Sequence, residues 1–211
     1  MSRSATRRQR RVWNRAAADY DDKIAGAERG LLRGAREWIG GRAAGQVLEV
    51  AIGTGRSIPF YADAVSLTGI DLSPEMLALA RARADALGRA VDLREGDAES
   101  LPFDDASFDT VVCELALCSI PRPDAAIAEM ARVLRPGGRL LLLDHVGSTF
   151  PPLWAVQWLV ERVTIPVAGE HFTRRPSPRV EAAGLVVEES ERRKAGTVEL
   201  LSARWDPPRS P

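Results

Sequence analysis

The chain has 211 residues, of which 45% are hydrophobic and 27% are charged, and its formal net charge is zero. This length and composition suit one domain with a buried core and exclude a wholly disordered chain. The balanced charge argues against bulk binding to nucleic acid, and no apolar run reaches the roughly 20 residues that a membrane-spanning helix needs.

The N-terminal segment is strongly basic. Residues 1–18 contain no acidic residue and six arginines, which are Arg3, Arg7, Arg8, Arg10, Arg11 and Arg15. Such an arm can contact nucleic acid or an anionic lipid surface, although charge runs are more often simply solvated. Because the segment lacks the apolar core of a secretory signal, we expect a cytoplasmic protein.

Short apolar runs alternate with helical patterns along the rest of the chain. Strands are predicted at 46–50, 66–70, 91–95, 108–113, 138–144, 185–188 and 198–201, and helices at 30–40, 74–87, 124–134 and 152–163. Ser73 is the expected N-cap of the second of these helices, and Gly88 is expected to end it. The short connector between the last two strands predicts an antiparallel pair. The order indicates an α/β fold with an open, mostly parallel sheet flanked by helices.

A glycine-rich turn follows the first predicted strand. Gly53 and Gly55 allow a tight turn and the close approach of a ligand to the backbone. Asp71 ends the second strand, where a carboxylate can accept hydrogen bonds from two ribose hydroxyls. The turn lacks the third glycine of a dinucleotide fingerprint and the lysine of a P-loop. Glu49, just before the turn, would repel a pyrophosphate, so the pattern favours a cationic nucleoside without phosphates.

Four segments in order resemble the motifs of class I S-adenosylmethionine-dependent methyltransferases: 47–55, 69–77, 96–109 and 134–138. The resemblance implies a Rossmann-like, seven-stranded, mostly parallel sheet with helices on both faces and an antiparallel C-terminal strand. It also implies a helical arm over 1–28 that covers the cofactor, and one domain over 29–211 with a substrate-lid insertion at 147–180. Ala51 departs from the family, which usually has glycine there, and we expect alanine to be tolerated at a negative φ.

The resemblance further implies a set of residues that bind S-adenosylmethionine. Gly53 and Gly55 would contact its methionine portion, Glu49 its ammonium and Asp71 its ribose, while Asp97 would accept from the adenine amino group. Tyr20, with Trp13, would offer an aromatic face to the sulfonium. The whole predicted set is Tyr20, Glu49, Ala51, Gly53, Thr54, Gly55, Asp71, Leu72, Met76, Asp97, Ala98, Glu114 and Leu115.

The acceptor is less well specified by the sequence. His145, at the end of the fifth predicted strand, is the best candidate for a general base, and His171 is a weaker one. The finer resemblance, to small thiol, phosphatidylethanolamine and quinone methyltransferases, predicts a small, partly apolar acceptor. A thiol is favoured, then an amine or hydroxyl, and the transfer is an in-line displacement. Two alternatives stay open: a phospholipid or quinone methyltransferase at a membrane surface, and a non-catalytic S-adenosylmethionine-binding module.

Several other classes are disfavoured by the sequence. The chain lacks the Asn/Asp-Pro-Pro-Tyr/Phe motif of nucleic-acid methyltransferases after the fourth strand, so no nucleic-acid partner is expected. The only cysteines, Cys113 and Cys118, do not have the spacing of a redox pair. They also lack the accompanying histidines and cysteines that complete a zinc site, so no metal site is predicted. Weak contact with a membrane surface is a further expectation, because residues 150–160 are rich in large apolar side chains.

Overall fold

The computed structural model describes residues 3–206. Residues 1–2 of the predicted arm and 207–211 of the predicted domain lie outside the described part of the chain. The helices are α1 (Arg3–Gly30), α2 (Ala35–Gly40), α3 (Pro74–Ala86), α4 (Pro123–Val133), α5 (Pro151–Ala168) and α6 (Pro176–Ala182). The strands are β1 (Gln46–Val50), β2 (Ser66–Asp71), β3 (Val91–Glu95), β4 (Phe108–Glu114), β5 (Leu134–His145), β6 (Leu185–Arg193) and β7 (Val198–Trp205).

The strands form one seven-stranded sheet in the order β3-β2-β1-β4-β5-β7-β6. The first five strands run parallel, and β7 is antiparallel to both of its neighbours, β5 and β6. This arrangement confirms the predicted fold class. It also brings the carboxyl ends of β1, β2, β3 and β4 to one edge of the sheet, where open α/β sheets bind their ligands.

Alternate side chains of the central strands enter two separate apolar clusters. Leu140 and Leu142 join one cluster, to which α4 and α6 contribute, and Leu141 and Leu143 join the other, to which α2 and α3 contribute. Because both faces are covered, β5 reads as a continuous apolar run in the sequence. The helices therefore lie on both faces of the sheet, as predicted.

Several elements differ from the sequence prediction. α2 begins at Ala35 rather than at residue 30, α5 continues to Ala168 rather than to residue 163, and β7 continues to Trp205 rather than to residue 201. β5 begins at Leu134 rather than at residue 138, and its pairing with β4 shifts register between Phe108 and Thr110. β6 continues to Arg193 through polar, largely exposed residues of an edge strand, which carry no hydropathy signal. α6 begins in a Pro-Ser-Pro sequence that reads as a loop. Within residues 3–206, no helix combines the length and the apolarity required to cross a bilayer.

The start and end of helix α3 are marked by the residues that the sequence analysis predicts. The Ser73 hydroxyl accepts a hydrogen bond from the Met76 amide at 3.2 Å, and Pro74 follows the cap as the first helical residue. Gly88, just past the helix, has a φ of +63°, which a side chain would disfavour. The helix consequently begins directly after Asp71 and Leu72, which it holds at the carboxyl edge of the sheet.

Candidate active site

A cavity opens at the carboxyl edge of the sheet. Its floor comes from residues at or just after the ends of β1, β2, β3 and β4, and α1 lies across it with Thr6, Gln9, Trp13 and Tyr20. The aromatic rings of Trp13 and Tyr20 meet edge to face with centroids 6.1 Å apart.

Most of the residues that the sequence predicts as cofactor ligands line this one cavity. The lining residues from that set are Tyr20, Ala51, Gly53, Asp71, Leu72, Met76, Asp97, Ala98, Glu114 and Leu115. The lining does not include Glu49, Thr54, Gly55 or His145. The strand-end residues converge because parallel neighbours end at the same edge.

Asp71 is held rigidly at the end of β2. One carboxylate oxygen accepts from the Gly53 amide at 2.9 Å, and the other accepts from the Ser73 amide at 2.8 Å. Burial raises the pKa of Asp71 to about 6 against the opposing effect of these backbone donors. The carboxylate is therefore largely ionised at neutral pH, and each oxygen retains a lone pair for a hydroxyl donor.

The turn after β1 carries Ala51 at a φ of +57°, so the condition under which alanine is expected to be tolerated, a negative φ, is not met. The turn is fixed by the Ile52 amide, which donates to the Ile70 carbonyl at 3.1 Å, and the left-handed backbone follows from that closure. Leu115, after β4, is also left-handed, with a φ of +53°. Each costs about 1–2 kcal/mol for a residue with a Cβ, and both line the cavity.

Gly53 and Gly55 are glycine for different structural reasons. A Cβ on Gly53 would meet nothing closer than 4.0 Å, so this stretch of backbone faces open space on the cavity wall. A Cβ on Gly55 would approach Ile58 to 2.6 Å and Ala80 to 3.2 Å. Gly55 is thus required for packing of the turn against α3, while Gly53 leaves room for a ligand.

Two buried glutamates, Glu114 in the cavity wall and Glu49 at the end of β1, share a cationic neighbour, Arg36. Glu114 accepts from Arg36 at 2.7 Å through one oxygen and from the Ser57 hydroxyl at 2.7 Å through the other. The Tyr61 hydroxyl donates to Glu49 at 2.9 Å. Burial, reinforced by the charge of Glu114, raises the pKa of Glu49 to about 8, and burial also raises the pKa of Glu114. At neutral pH Glu49 therefore carries a proton in most molecules.

Thr54 serves to attach α1 rather than to line the cavity. Its hydroxyl donates to Asp21 at 2.7 Å, and Arg83 of α3 donates both to the Thr54 carbonyl at 2.5 Å and to Asp21. Arg56 forms a further ion pair with Asp21 at 3.3 Å. These contacts tie the middle of α1 to the glycine turn and hold Tyr20 at the cavity.

Asp97 lies in the loop after β3. One of its oxygens accepts from the Glu99 amide at 3.0 Å, which fixes the carboxylate within its own loop. The other oxygen accepts from the Thr6 hydroxyl of α1 at 3.2 Å. The first turns of α1 thus contact an acid that the sequence predicts as a ligand.

His145 does not reach the cavity wall. Its ring packs edge to face on Phe172, with centroids 5.9 Å apart, and its Nδ1 lies 3.9 Å from Asp144 without a hydrogen-bond partner. Asp144 instead accepts from the backbone amides of His145 and Cys118. His171 donates its backbone amide to the Cys118 carbonyl at 2.9 Å and likewise does not line the cavity.

Several lining residues were not predicted, because no motif marks them. They come from the start of α1 and from the loop between β4 and α4: Thr6, Gln9, Ala116, Ser119, Ile120 and Pro121. The buried Gln9 amide joins the two segments, since it donates to the Ser119 carbonyl at 2.7 Å and to the Ala168 carbonyl at 3.2 Å. A glutamine in a basic segment gives no sequence signal for such a position.

The cavity fits S-adenosylmethionine by the chemistry of its walls. Asp71 and Asp97 are carboxylate acceptors, which suit ribose hydroxyls and an adenine amino group, and the apolar side chains of Leu72, Met76 and Ala98 line the same cavity. Open space at Gly53 admits a backbone-contacting ligand. The aromatic rings and Glu114 suit the positive charge of a sulfonium and an ammonium.

Comparison with known proteins gives the same result. Residues 48–142 match a family model described as a methyltransferase domain. The chain is 43% identical over 120 residues to a phosphatidylethanolamine N-methyltransferase of Cereibacter sphaeroides, covering 56% of this chain and 59% of that one. It is 37% identical over 172 residues to a ubiquinone/menaquinone biosynthesis C-methyltransferase of Paracoccus denitrificans, covering 75% and 67%.

A solved structure shares the fold at lower identity. An S-adenosylmethionine-dependent methyltransferase of Methanosarcina mazei superposes with a TM-score of 0.60 at 22% identity, covering 76% of this chain and 92% of that one. The chain spans 59% of the first curated relative above and 67% of the second. On the family model, these relatives and the cavity together, the chain belongs to the S-adenosylmethionine-dependent methyltransferases.

Proposed function

We propose that this chain transfers a methyl group from S-adenosylmethionine to a small, partly apolar acceptor. The observation that carries the proposal is one cavity that joins two acidic side chains, Asp71 and Asp97, to an apolar wall formed by Leu115, Ala116 and Ile120. The acids suit a nucleoside, and the apolar wall suits the body of a second molecule. A cavity with both surfaces favours a transferase over a module that only binds the nucleoside.

The residues of this chain act mainly by binding and alignment. When bound, S-adenosylmethionine supplies an electrophilic methyl group on a sulfonium, with a thioether as leaving group. Asp71 holds the ribose, Asp97 the adenine, and Glu114 with the Gly53 backbone the amino-acid portion. Tyr20 and Trp13 of α1 cover the site and exclude water. Alignment of two reactants contributes up to roughly 7–11 kcal/mol to such displacements.

The acceptor that we infer is an amphiphile of the lipid-amine or quinone class, rather than the small thiol that the sequence alone favours. Support comes from two relatives, one named for phosphatidylethanolamine and the other for quinone biosynthesis. The apolar residues of the loop between β4 and α4 agree with an acceptor that has a hydrocarbon portion. An amine with a free lone pair needs no general base, and His145 lies away from the cavity.

A panel of acceptors tests this assignment. Purified protein is incubated with S-adenosylmethionine and, in turn, phosphatidylethanolamine vesicles, a demethylated quinone, an alkyl thiol and a phenol, and S-adenosylhomocysteine is measured. Turnover with the lipid or the quinone above that with the thiol supports the proposal. Preference for the thiol would return the assignment to the sequence-based one.

Calorimetric titration separates the enzyme from a non-catalytic module. We expect S-adenosylmethionine to bind with a micromolar dissociation constant, as is common for substrates of enzymes. Absence of binding below millimolar concentration would remove the proposal altogether. Binding with no turnover on any acceptor of the panel would favour the non-catalytic module.

A further inference from the structure

Helix α5 is amphipathic in the reverse of the usual sense. Its inward side carries polar residues, since Gln157 bonds the backbone of Ser148 and Val146, and the buried Glu161 accepts from Thr173. Its outward side is apolar. A surface helix of a globular protein normally has its apolar side towards the core and its polar side towards water.

The outward side of α5 and the residue before it form a continuous apolar surface. We call it the α5 apolar face, and its main members are Phe150, Trp154, Trp158, Leu159, Val163 and Val167. Leu159, Val163 and Val167 are 63%, 65% and 69% exposed. Arg162, which stacks on Trp158 at 4.1 Å, is the one charged side chain exposed on this helix. Contiguous apolar surface of this kind marks an interaction site, whereas isolated exposed residues do not.

A row of arginines borders the C-terminal end of that face. Arg8, Arg11 and Arg15 follow one another at helical spacing on α1, are exposed, and line a shallow groove together with Val167. Arg8 also donates to the Pro166 carbonyl of α5. Residues 1–18 contain no acid, so this row is not neutralised from within its own segment.

We propose that the α5 apolar face and this arginine row dock on the surface of a bilayer that contains anionic phospholipid. The apolar side chains would enter the boundary between headgroups and acyl chains, roughly 5–10 Å deep, while the arginines meet lipid phosphates. A second copy of the chain fits less well. The exposed side chains of α5 include no acid that could offset the arginine row of a partner copy.

The docking surface lies next to the cavity. α1 presents its arginines outward and lines the cavity with Gln9 and Trp13 on another side, and the Gln9 amide bonds the Ala168 carbonyl at the end of α5. This inference goes beyond the proposed function and does not depend on it, because lipid binding is measured without S-adenosylmethionine.

Vesicle flotation tests the proposal on the full chain. We expect binding to phosphatidylcholine vesicles that contain phosphatidylglycerol, with weaker binding to phosphatidylcholine alone and a decrease at high salt. Leu159→Gln combined with Val163→Gln should lower the partition coefficient about tenfold or more on both vesicles. Leu79→Gln, which changes an exposed helical leucine on α3, is the matched control and should change nothing.

A charge reversal tests the contribution of the arginine row. Arg11→Glu combined with Arg15→Glu should lower binding to the anionic vesicles at least tenfold and leave binding to phosphatidylcholine alone unchanged. The proposal fails if neither vesicle binds the protein, if neither pair of substitutions matters, or if Leu79→Gln acts equally. It also fails if size-exclusion chromatography shows a dimer that Leu159→Gln dissociates while vesicles do not bind. Vesicle binding without methyl transfer would refute the proposed function alone.

Discussion

At the scale of single residues, Asp71 links cofactor affinity to pH. Its pKa of about 6 belongs to the cofactor-free protein, and only the ionised carboxylate accepts from two ribose hydroxyls. Bound cofactor stabilises the ionised form, so affinity is full above pH 6 and falls by up to tenfold per pH unit below it. Calorimetry between pH 5 and about 8 checks this expectation.

The Asp71→Asn variant provides the control. It removes the charge while retaining the size of the side chain, and charge-assisted hydrogen bonds contribute about 1.5–3 kcal/mol each. We expect weaker binding at neutral pH and a loss of the pH dependence between pH 5 and about 7. A variant with unchanged affinity would show that the carboxylate does not contact the ribose.

The left-handed backbone of Ala51 gives a second prediction at this scale. Ala51→Gly relieves strain of about 1–2 kcal/mol but removes a partly buried methyl group worth about 0.8 kcal/mol. We therefore expect a stability equal to or slightly above that of the natural chain. Ala51→Val places a β-branched residue in the same backbone and should lower the free energy of unfolding by more than about 2 kcal/mol. Urea denaturation distinguishes the pair, and equal stabilities would contradict the assigned φ.

His145 is predicted as a general base, but it does not line the cavity. A general base contributes about 10²–10⁴-fold to a rate, so His145→Gln should cost at least a hundredfold if the ring accepts the proton of the acceptor. Because the ring packs on Phe172 outside the cavity, we expect a loss below about tenfold in kcat. Rate measurements across pH with the preferred acceptor decide between the two.

At the scale of elements, α1 is attached to the turn after β1 through one acid. Asp21 accepts from Thr54 and Arg83, and it pairs with Arg56. Asp21→Ala should loosen α1, raise hydrogen exchange over residues 5–20 and weaken S-adenosylmethionine binding by about tenfold or more, since Trp13 and Tyr20 leave the cavity. Asp19→Ala removes a surface pair with Lys23 on the same helix and should alter neither measurement. Equal effects of the two substitutions would contradict this attachment.

The sequence predicts well those helices and strands whose limits are set by neighbouring residues in the chain. β1 and β3 have the predicted limits, because a polar residue or turn bounds each of them, and α3 begins at a serine cap followed by proline. β6 is longer than predicted because the residues after Val187 are held by pairing with β7 and not by burial. Backbone pairing of that kind depends on a partner distant in sequence, which hydropathy does not report.

The same distinction, between local signals and contacts distant in sequence, explains which residues of the candidate site could be predicted. Asp71 is predictable because it ends a strand whose carboxyl end is fixed by the sheet, and Asp97 is predicted because its loop resembles a motif of the family. Gln9 reaches the cavity through the packing of α1 over the sheet, where its amide donates to the Ser119 carbonyl. Glu49 accepts from Tyr61 and does not line the cavity. Tertiary contacts of single polar atoms leave no periodic signal along the chain.

At the scale of the whole molecule, the buried glutamate pair makes global stability depend on pH. The pKa of Glu49 is about 8 in the folded chain against an ordinary value of 4.5, so unfolding releases a proton between these values. Stability from this group is therefore full below pH 4.5 and declines as pH rises towards 8, by up to about 1.4 kcal/mol per unit.

Glu49→Gln tests this linkage by replacing the protonated carboxyl with a neutral group of similar shape. We expect the free energy of unfolding of the variant to exceed that of the natural chain increasingly from pH 5 to about 8. Glu181→Gln, at an exposed position on α6, should leave the two curves parallel. Parallel curves for Glu49→Gln as well would show that the buried glutamate is ionised throughout.

The segment between β5 and β6 contributes little to the two apolar clusters. Of residues 147–180, Val180 alone is a full member of either cluster, and the rest of the segment is attached mainly through polar contacts such as those of Gln157 and Glu161. The sheet can therefore fold to its final order while this stretch varies in length and composition. Chimeric chains that differ only in this stretch should retain the nucleoside site, because no residue of 147–180 lines the cavity.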